Sequence, residues 1–168
     1  MFEFLRKKAA EAAEVELPKE REIIAPIDGK AVDIVEVPDE VFSQKMAGDG
    51  MAILPVGDTF CAPIAGKVVK IFDTNHAFTI DAGEGLSVTV HIGLDTVELQ
   101  GEGFERLVQE GDEVEAGDAI VRIDYGLVNE KAKSLWTPIL ITNASGVTTL
   151  DKYPRVVKAG DELMKVKS

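Results

Sequence analysis

Residues 74–99 read T-N-H-A-F-T-I-D-A-G-E-G-L-S-V-T-V-H-I-G-L-D-T-V-E-L, and they hold both histidines of the chain, His76 and His91. Ala77, Thr79 and Asp81 interleave with Phe78 and Ile80, and Val88, Val90 and Ile92 interleave with Thr89 and His91. Alternation at period two predicts a strand in each run. Asp81-Ala82-Gly83-Glu84-Gly85 between the runs predicts a hairpin loop. Residues near the far ends of two hairpin strands face each other, so spacing alone brings His76 and His91 together. A single strand histidine is ordinarily a half-buried polar group, whereas a facing pair points to proton, phosphoryl or metal chemistry.

Outward from that stretch, the chain of 168 residues predicts one domain large enough to bury a core. Apolar residues make up 45% and charged residues 29%, as expected of a globular protein. A net charge of −12 argues against nucleic acid, whose phosphates would repel it, and suits a partner with a basic or neutral face. Cys61 is the only cysteine, so no internal disulfide can form and a reduced cytoplasm is expected. No apolar run reaches the roughly 20 residues of a membrane span, and the N-terminus lacks the apolar core of a signal peptide.

Residues 1–18 differ from the rest and are expected to be a flexible tail. Phe2, Leu5, Ala9 and Ala12 share a helical face beside Arg6, Lys7 and Lys8, and Pro18 closes the segment. Residues 2–13 therefore suggest a weak contact with a membrane surface, which would place a cytoplasmic protein at the inner face of the membrane. Residues 19–168 are expected to form the single folded domain. Within it A25-P-I-D-G-K-A-V-D-I34 is echoed by A62-P-I-A-G-K-V-V-K-I71, and A-G-D recurs at 47–49, 116–118 and 159–161 before short apolar runs. Short strands with Gly/Asp turns about every 8–12 residues predict an all-β, antiparallel sandwich or barrel with internal duplication. Helix is expected only briefly, at Asp124–Lys133.

P-D-E-V-F-S-Q-K-M-A-G-D-G at 38–50, T-N-H-A-F at 74–78 and V-H-I-G-L-D-T-V-E-L-Q-G-E-G-F at 90–104 resemble the glucose-type IIA component of the bacterial sugar phosphotransferase system. The resemblance runs from about Glu22 to the C-terminus, and V-H-I-G-L-D-T-V is its most specific part. It implies a β-sandwich with barrel character and a phosphohistidine intermediate. It further implies that His91 takes the phosphoryl group on Nε2 while the Gly93 carbonyl holds Nδ1. His76 would act as the electrostatic partner, oriented by Thr74. The donor would be the histidine-containing phosphocarrier HPr, and the acceptor a cysteine of a sugar-specific IIB domain.

The same resemblance implies an apolar ring of Val41, Phe42, Met46, Phe72, Phe78 and Val97 around the histidines. Asp39 and Asp95 would form an acidic fringe, although Asp in P-D-E and L-D-T also suits a turn. Phe42 lies in a polar, turn-rich stretch, which favours a contact role over a core role. Thr89 stands where the family often carries Phe, and Ala47 is also small, so the ring is weaker on that side. No cofactor is required. His76 and His91 make half of a tetrahedral zinc site, to be completed by a partner. Regulatory binding of transporters, glycerol kinase or adenylate cyclase, dependent on phosphorylation, is also implied.

Two other functions compete. Zinc peptidases of the lysostaphin type share a related architecture, and His76, His91 and Asp81 or Asp95 offer a ligand set, but the H-x-H pair of those enzymes is absent. The V-x-x-G-D-x-V-x-x-G-D pattern at 108–118 suggests a biotinyl or lipoyl carrier, yet no lysine occupies a hairpin tip there. No glycine-rich phosphate loop followed by lysine is present, so no nucleotide is expected.

Overall fold

The computed structural model describes residues 19–168. The expected tail, 1–18, and its lipid-binding part, 2–13, lie outside the described residues. The strands are β1 (Glu20–Ile24), β2 (Gly29–Asp33), β3 (Asp49–Pro55), β4 (Thr59–Cys61), β5 (Gly66–Ile71), β6 (Ala77–Gly83) and β7 (Leu86–His91). They continue with β8 (Phe104–Arg106), β9 (Glu113–Val114), β10 (Ala119–Ile123), β11 (Thr137–Ala144), β12 (Thr149–Lys152), β13 (Arg155–Val157) and β14 (Glu162–Lys167). Two short helices interrupt them: α1 (Glu40–Ser43) and α2 (Tyr125–Lys131). Eight strands form the main sheet in the order β13-β2-β3-β11-β7-β6-β5-β9, and two three-stranded sheets, β1-β14-β12 and β4-β10-β8, complete the fold.

One face of the main sheet, the two small sheets and their loops meet in a single core. Val68, Phe78, Ile80, Val88, Val90 and Ile139 project into it from the main sheet, Ile23 and Met164 from one small sheet, and Phe60 and Ile120 from the other. The alternation read in 77–92 is the cause: every second residue is apolar, so each strand can bury one face. A smaller cluster of Val32, Ile34, Val37, Phe42, Ala52, Leu94 and Leu140 lies on the other face. It exists because the chain leaves the sheet between β2 and β3, and a 3-10 turn (Ile34–Glu36) and α1 fold back over that face.

The internal duplication is visible in the hydrogen bonds. Ile24 N donates to Pro63 O at 2.9 Å, and Cys61 N donates to Pro26 O at 2.9 Å, so the two A-P-I units pair reciprocally. Ala25 N donates to Asp161 O and Ala62 N to Asp118 O, each at 2.8 Å. Two of the three A-G-D echoes thus serve the two A-P-I units in the same way. The glycines that follow match as well: an added Cβ at Gly29 would lie 2.2 Å from Leu54 O, and at Gly66 2.2 Å from Asp81 O. The third echo, at 47–49, does something else, since Asp49 opens β3 and bonds Lys152.

Several expectations need correction. The hairpin turn is only Glu84-Gly85, both at positive φ (54° and 79°), as a two-residue turn that matches strand twist requires. Asp81 and Gly83 remain in β6 through an irregular step, with Asp81 Oδ1 accepting from Gly83 N at 2.8 Å. Phe42 is not in a loop but in α1, whose N-terminus is capped by Asp39. The helix expected at 124–133 spans Tyr125–Lys131, with Asp124 as its cap. Among the described residues no helix is long and apolar enough to cross a membrane.

Candidate functional site

His91 is the last residue of β7 and points away from the main core, on the same face as Thr89. Its register partner is Ala77, so His76 lies one step beyond the end of β6, where its carbonyl accepts from Ile92 N at 2.7 Å. Continued as a strand, His76 would point to the opposite face from His91. A tight turn prevents this. Asn75 N donates to Phe72 O at 2.7 Å, and Asn75 takes a positive φ of 59°. The turn swings His76 round until its ring meets that of His91 edge-on, with centroids 5.0 Å apart.

Arg106, on β8, fixes this turn from outside. Its Nε donates to Asn75 Oδ1 at 2.7 Å and its Nη2 to Phe72 O at 3.3 Å. Sequence reading missed Arg106, because nothing in F-E-R distinguishes a surface strand arginine from one that holds a turn thirty residues earlier.

Each ring is oriented by one nitrogen. His91 Nδ1 lies 2.7 Å from Gly93 O. A carbonyl only accepts, so Nδ1 carries the proton and Nε2 keeps its lone pair. Gly93 reaches this position at φ 75°, and an added Cβ would sit 2.5 Å from Thr96 Cγ2 and 2.9 Å from Ser134 O. Both facts demand glycine there. His76 Nδ1 is hydrogen-bonded to the Thr74 hydroxyl.

Both imidazoles are neutral near pH 7. Burial, and then the neighbouring His91, push His76 down to about 4. Burial also lowers His91, opposed by the Gly93 carbonyl and by the charges of Asp39 and Asp95. A neutral ring with one proton fixed and one lone pair free can act as a nucleophile or a metal ligand.

Around the pair the expected ring divides. Val41, Met46, Phe72 and Val97 are exposed. Phe72 packs edge-on against His76 at 5.3 Å between centroids. Phe42 is only 9% exposed: it belongs to the smaller cluster, and its ring lies tilted on His91 at 5.2 Å. It therefore walls His91 rather than standing free as a contact. Phe78 is wholly buried in the main core, and the expectation that it lines the ring is withdrawn. Burial of such a ring contributes about 2 kcal/mol to folding, which already explains its presence.

Asp39 combines two roles. Its Oδ1 accepts from Val41 N at 2.9 Å, capping α1, while its charge opposes the lowering of the His91 pKa. Asp95 opens the 3-10 turn Thr96–Leu99 at φ 57° and pairs with Lys133 Nζ at 3.3 Å. Thr89 lies in a ladder of hydroxyls, 2.7 Å from Thr79 Oγ1 and 3.1 Å from Thr142 Oγ1. That side of the site is polar. Ala47 is half-buried against the smaller cluster.

Among the described residues no group of three or more His, Cys, Asp or Glu side chains is placed to hold a metal ion. Neither Asp81 nor Asp95 joins the histidines as a third ligand, which removes the basis for a zinc peptidase. The 108–118 pattern is turn chemistry: Gln109 N donates to Asp112 Oδ2 at 2.9 Å and Glu115 N to Asp118 Oδ2 at 2.8 Å.

Comparison with known proteins adds an independent finding. Residues 21–147 match the family described as "phosphoenolpyruvate-dependent sugar phosphotransferase system, EIIA 1". The chain is 47% identical over 145 residues to the PTS system glucose-specific EIIA component of Haemophilus influenzae, covering 86% of this chain and 87% of that one. It is 44% identical over 162 residues to the protein of the same name in Halalkalibacterium halodurans, covering 96% and 92%. Its fold is similar to that of glucose permease IIA from Mycoplasma capricolum, with a TM-score of 0.84 at 44% identity over 88% of this chain and 96% of that one. The three motifs at 38–50, 74–78 and 90–104 all fall inside the matched residues.

Proposed function

Since the chain belongs to the EIIA family of the phosphoenolpyruvate-dependent sugar phosphotransferase system, we propose that Nε2 of His91 is the atom that carries its phosphoryl group. HPr would be the donor and a cysteine of a sugar-specific IIB domain the acceptor. The observation that supports this most is the bond between His91 Nδ1 and Gly93 O. It leaves the lone pair on Nε2, and it stabilises the positive charge that builds on the ring as the new P–N bond forms. In the loading step that lone pair attacks phosphorus and the P–N bond to the donor histidine breaks. In the unloading step a thiolate attacks, the P–N bond to Nε2 breaks, and its electron pair returns to the ring.

His76 donates to a phosphoryl oxygen in the unloading step if the Thr74 hydroxyl donates to its Nδ1, which places the ring proton on Nε2. Val41, Met46, Phe72 and Val97 would receive the partners, with Asp39 and Asp95 offering charge to a basic donor. Regulatory targets would use the same surface, with the added phosphoryl charge deciding which of them bind.

Incubation with phosphorylated HPr tests this assignment. The chain should acquire an acid-labile label at His91. Protonation removes the nucleophile, and the His91 pKa lies below its ordinary 6.5. The midpoint of the fall in labelling rate as His91 protonates should therefore lie below pH 6.5. A label on His76 in place of His91 contradicts the proposal, and a midpoint at or above pH 6.5 contradicts the lowered pKa of His91.

Zinc fits this site only in part. His76 and His91 would each offer one ring nitrogen, and a regulatory partner would supply a carboxylate, leaving a place for water. When bound, the ion would tie the two proteins together without taking part in transfer. Isolated protein should bind zinc weakly; tight binding that survives His91→Ala contradicts a shared site.

A further inference from the structure

The excursion that builds the docking face leaves the main sheet at Asp33 and returns at Asp49. Both ends meet on one side chain. Lys152 Nζ, from β12 in a different sheet, lies 3.1 Å from Asp33 Oδ1 and 2.6 Å from Asp49 Oδ1. The lysine side chain is only 13% exposed. Asp33 also caps the first turn of the excursion, its Oδ1 accepting from Val35 N at 3.2 Å. Asp49 Oδ1 accepts from Gly50 N at 2.8 Å, and Lys45, inside the excursion, reaches its Oδ2 at 3.5 Å. Burial works to raise the Asp49 carboxyl, but the Lys152 hydrogen bond, then Gly50 and Lys45, hold it below its ordinary range.

We propose that Lys152 is a positioning residue for partner docking: by clamping both ends of the segment 34–48, it holds Phe42 against His91 and presents Val41 and Met46. Without the ammonium, two carboxylates would face each other at the base of the segment. Like charges at that distance repel, and the segment would loosen at both ends at once. The sheets would remain, because the main core does not include residues 34–48. This inference rests on the reading of the face as the surface that receives HPr.

Lys152→Met keeps the length of the side chain and removes the charge. Amide exchange at Ser43, Gln44 and Met46 should quicken about tenfold, while exchange in β7 stays unchanged. The concentration of phosphorylated HPr giving half-maximal labelling should rise about fivefold, with the maximal rate within about twofold of the parent. Lys152→Arg should restore both readouts. Unchanged exchange at residues 43–46 overturns the clamp, and so does a uniform rise throughout the sheets, which would show a general loss of stability. A parent chain that phosphorylated HPr fails to label refutes the carrier reading instead, and the exchange measurement still decides the clamp.

Discussion

His91→Gln is expected to abolish labelling by phosphorylated HPr, with the residual rate at least about a thousandfold below the parent. Gln can accept or donate hydrogen bonds but has no nitrogen lone pair able to attack phosphorus. The substitution is also mild for the fold. His91 is half-buried at the end of β7, and the residues that anchor that strand, Val88, Val90 and Ile92, face the core and are untouched. An intact amide spectrum alongside lost labelling separates chemistry from folding. A His91→Gln chain labelled at the parent rate would move the carrier elsewhere, and His76 would be the only other histidine.

His76→Gln should give the opposite pattern. The nucleophile and its Gly93 contact remain, so the variant should still be labelled. Transfer from labelled variant to a IIB cysteine should slow by about a hundredfold or more, the scale seen when one preorganised donor to a developing anion is lost. The reason lies in where the ring sits. His76 is only 3% exposed, and Thr74 on one side and Phe72 on the other fix its direction. A Gln at this place has neither the planar ring that packs on Phe72 nor a hydroxyl-oriented donor. Single-turnover transfer from purified, labelled variant measures the step directly. Transfer at the parent rate would mean that His76 is only a wall of the site.

The two variants also separate the proposed roles from a metal site. If the histidines served chiefly as ligands, either substitution would harm function alike. If one is the carrier and the other its partner, loading and unloading respond differently.

Much of this site was legible in the sequence. The alternation in 77–92 predicts the hairpin, and the hairpin places His76 and His91 at the same end of it, though on opposite faces. The A-P-I and A-G-D echoes predict a duplication, which appears as reciprocal hydrogen bonds between Ile24 and Pro63 and between Cys61 and Pro26. The family motifs single out Gly93, whose carbonyl does lie against His91 Nδ1. Burial was harder to read. Phe42 and Phe78 are both aromatic residues in matched motifs, yet Phe78 belongs to the main core and Phe42 to a separate small one. Which face a fold leaves open depends on what other segments cover, and no local pattern records that.

Local features follow from the residues alone: strand periodicity, turn residues, a glycine beside a histidine, and the spacing that brings two imidazoles to one end of a hairpin. The direction and setting of those rings come from contacts between distant segments. The strand register alone would send His76 and His91 to opposite faces, and the turn at Asn75, fixed by Arg106 from β8, brings them back together. Lys152, more than a hundred residues from Asp33 and Asp49, closes the base of the segment that walls His91. Such contacts depend on distance in space rather than along the chain, and a side chain's charge and length do not say which backbone it will meet.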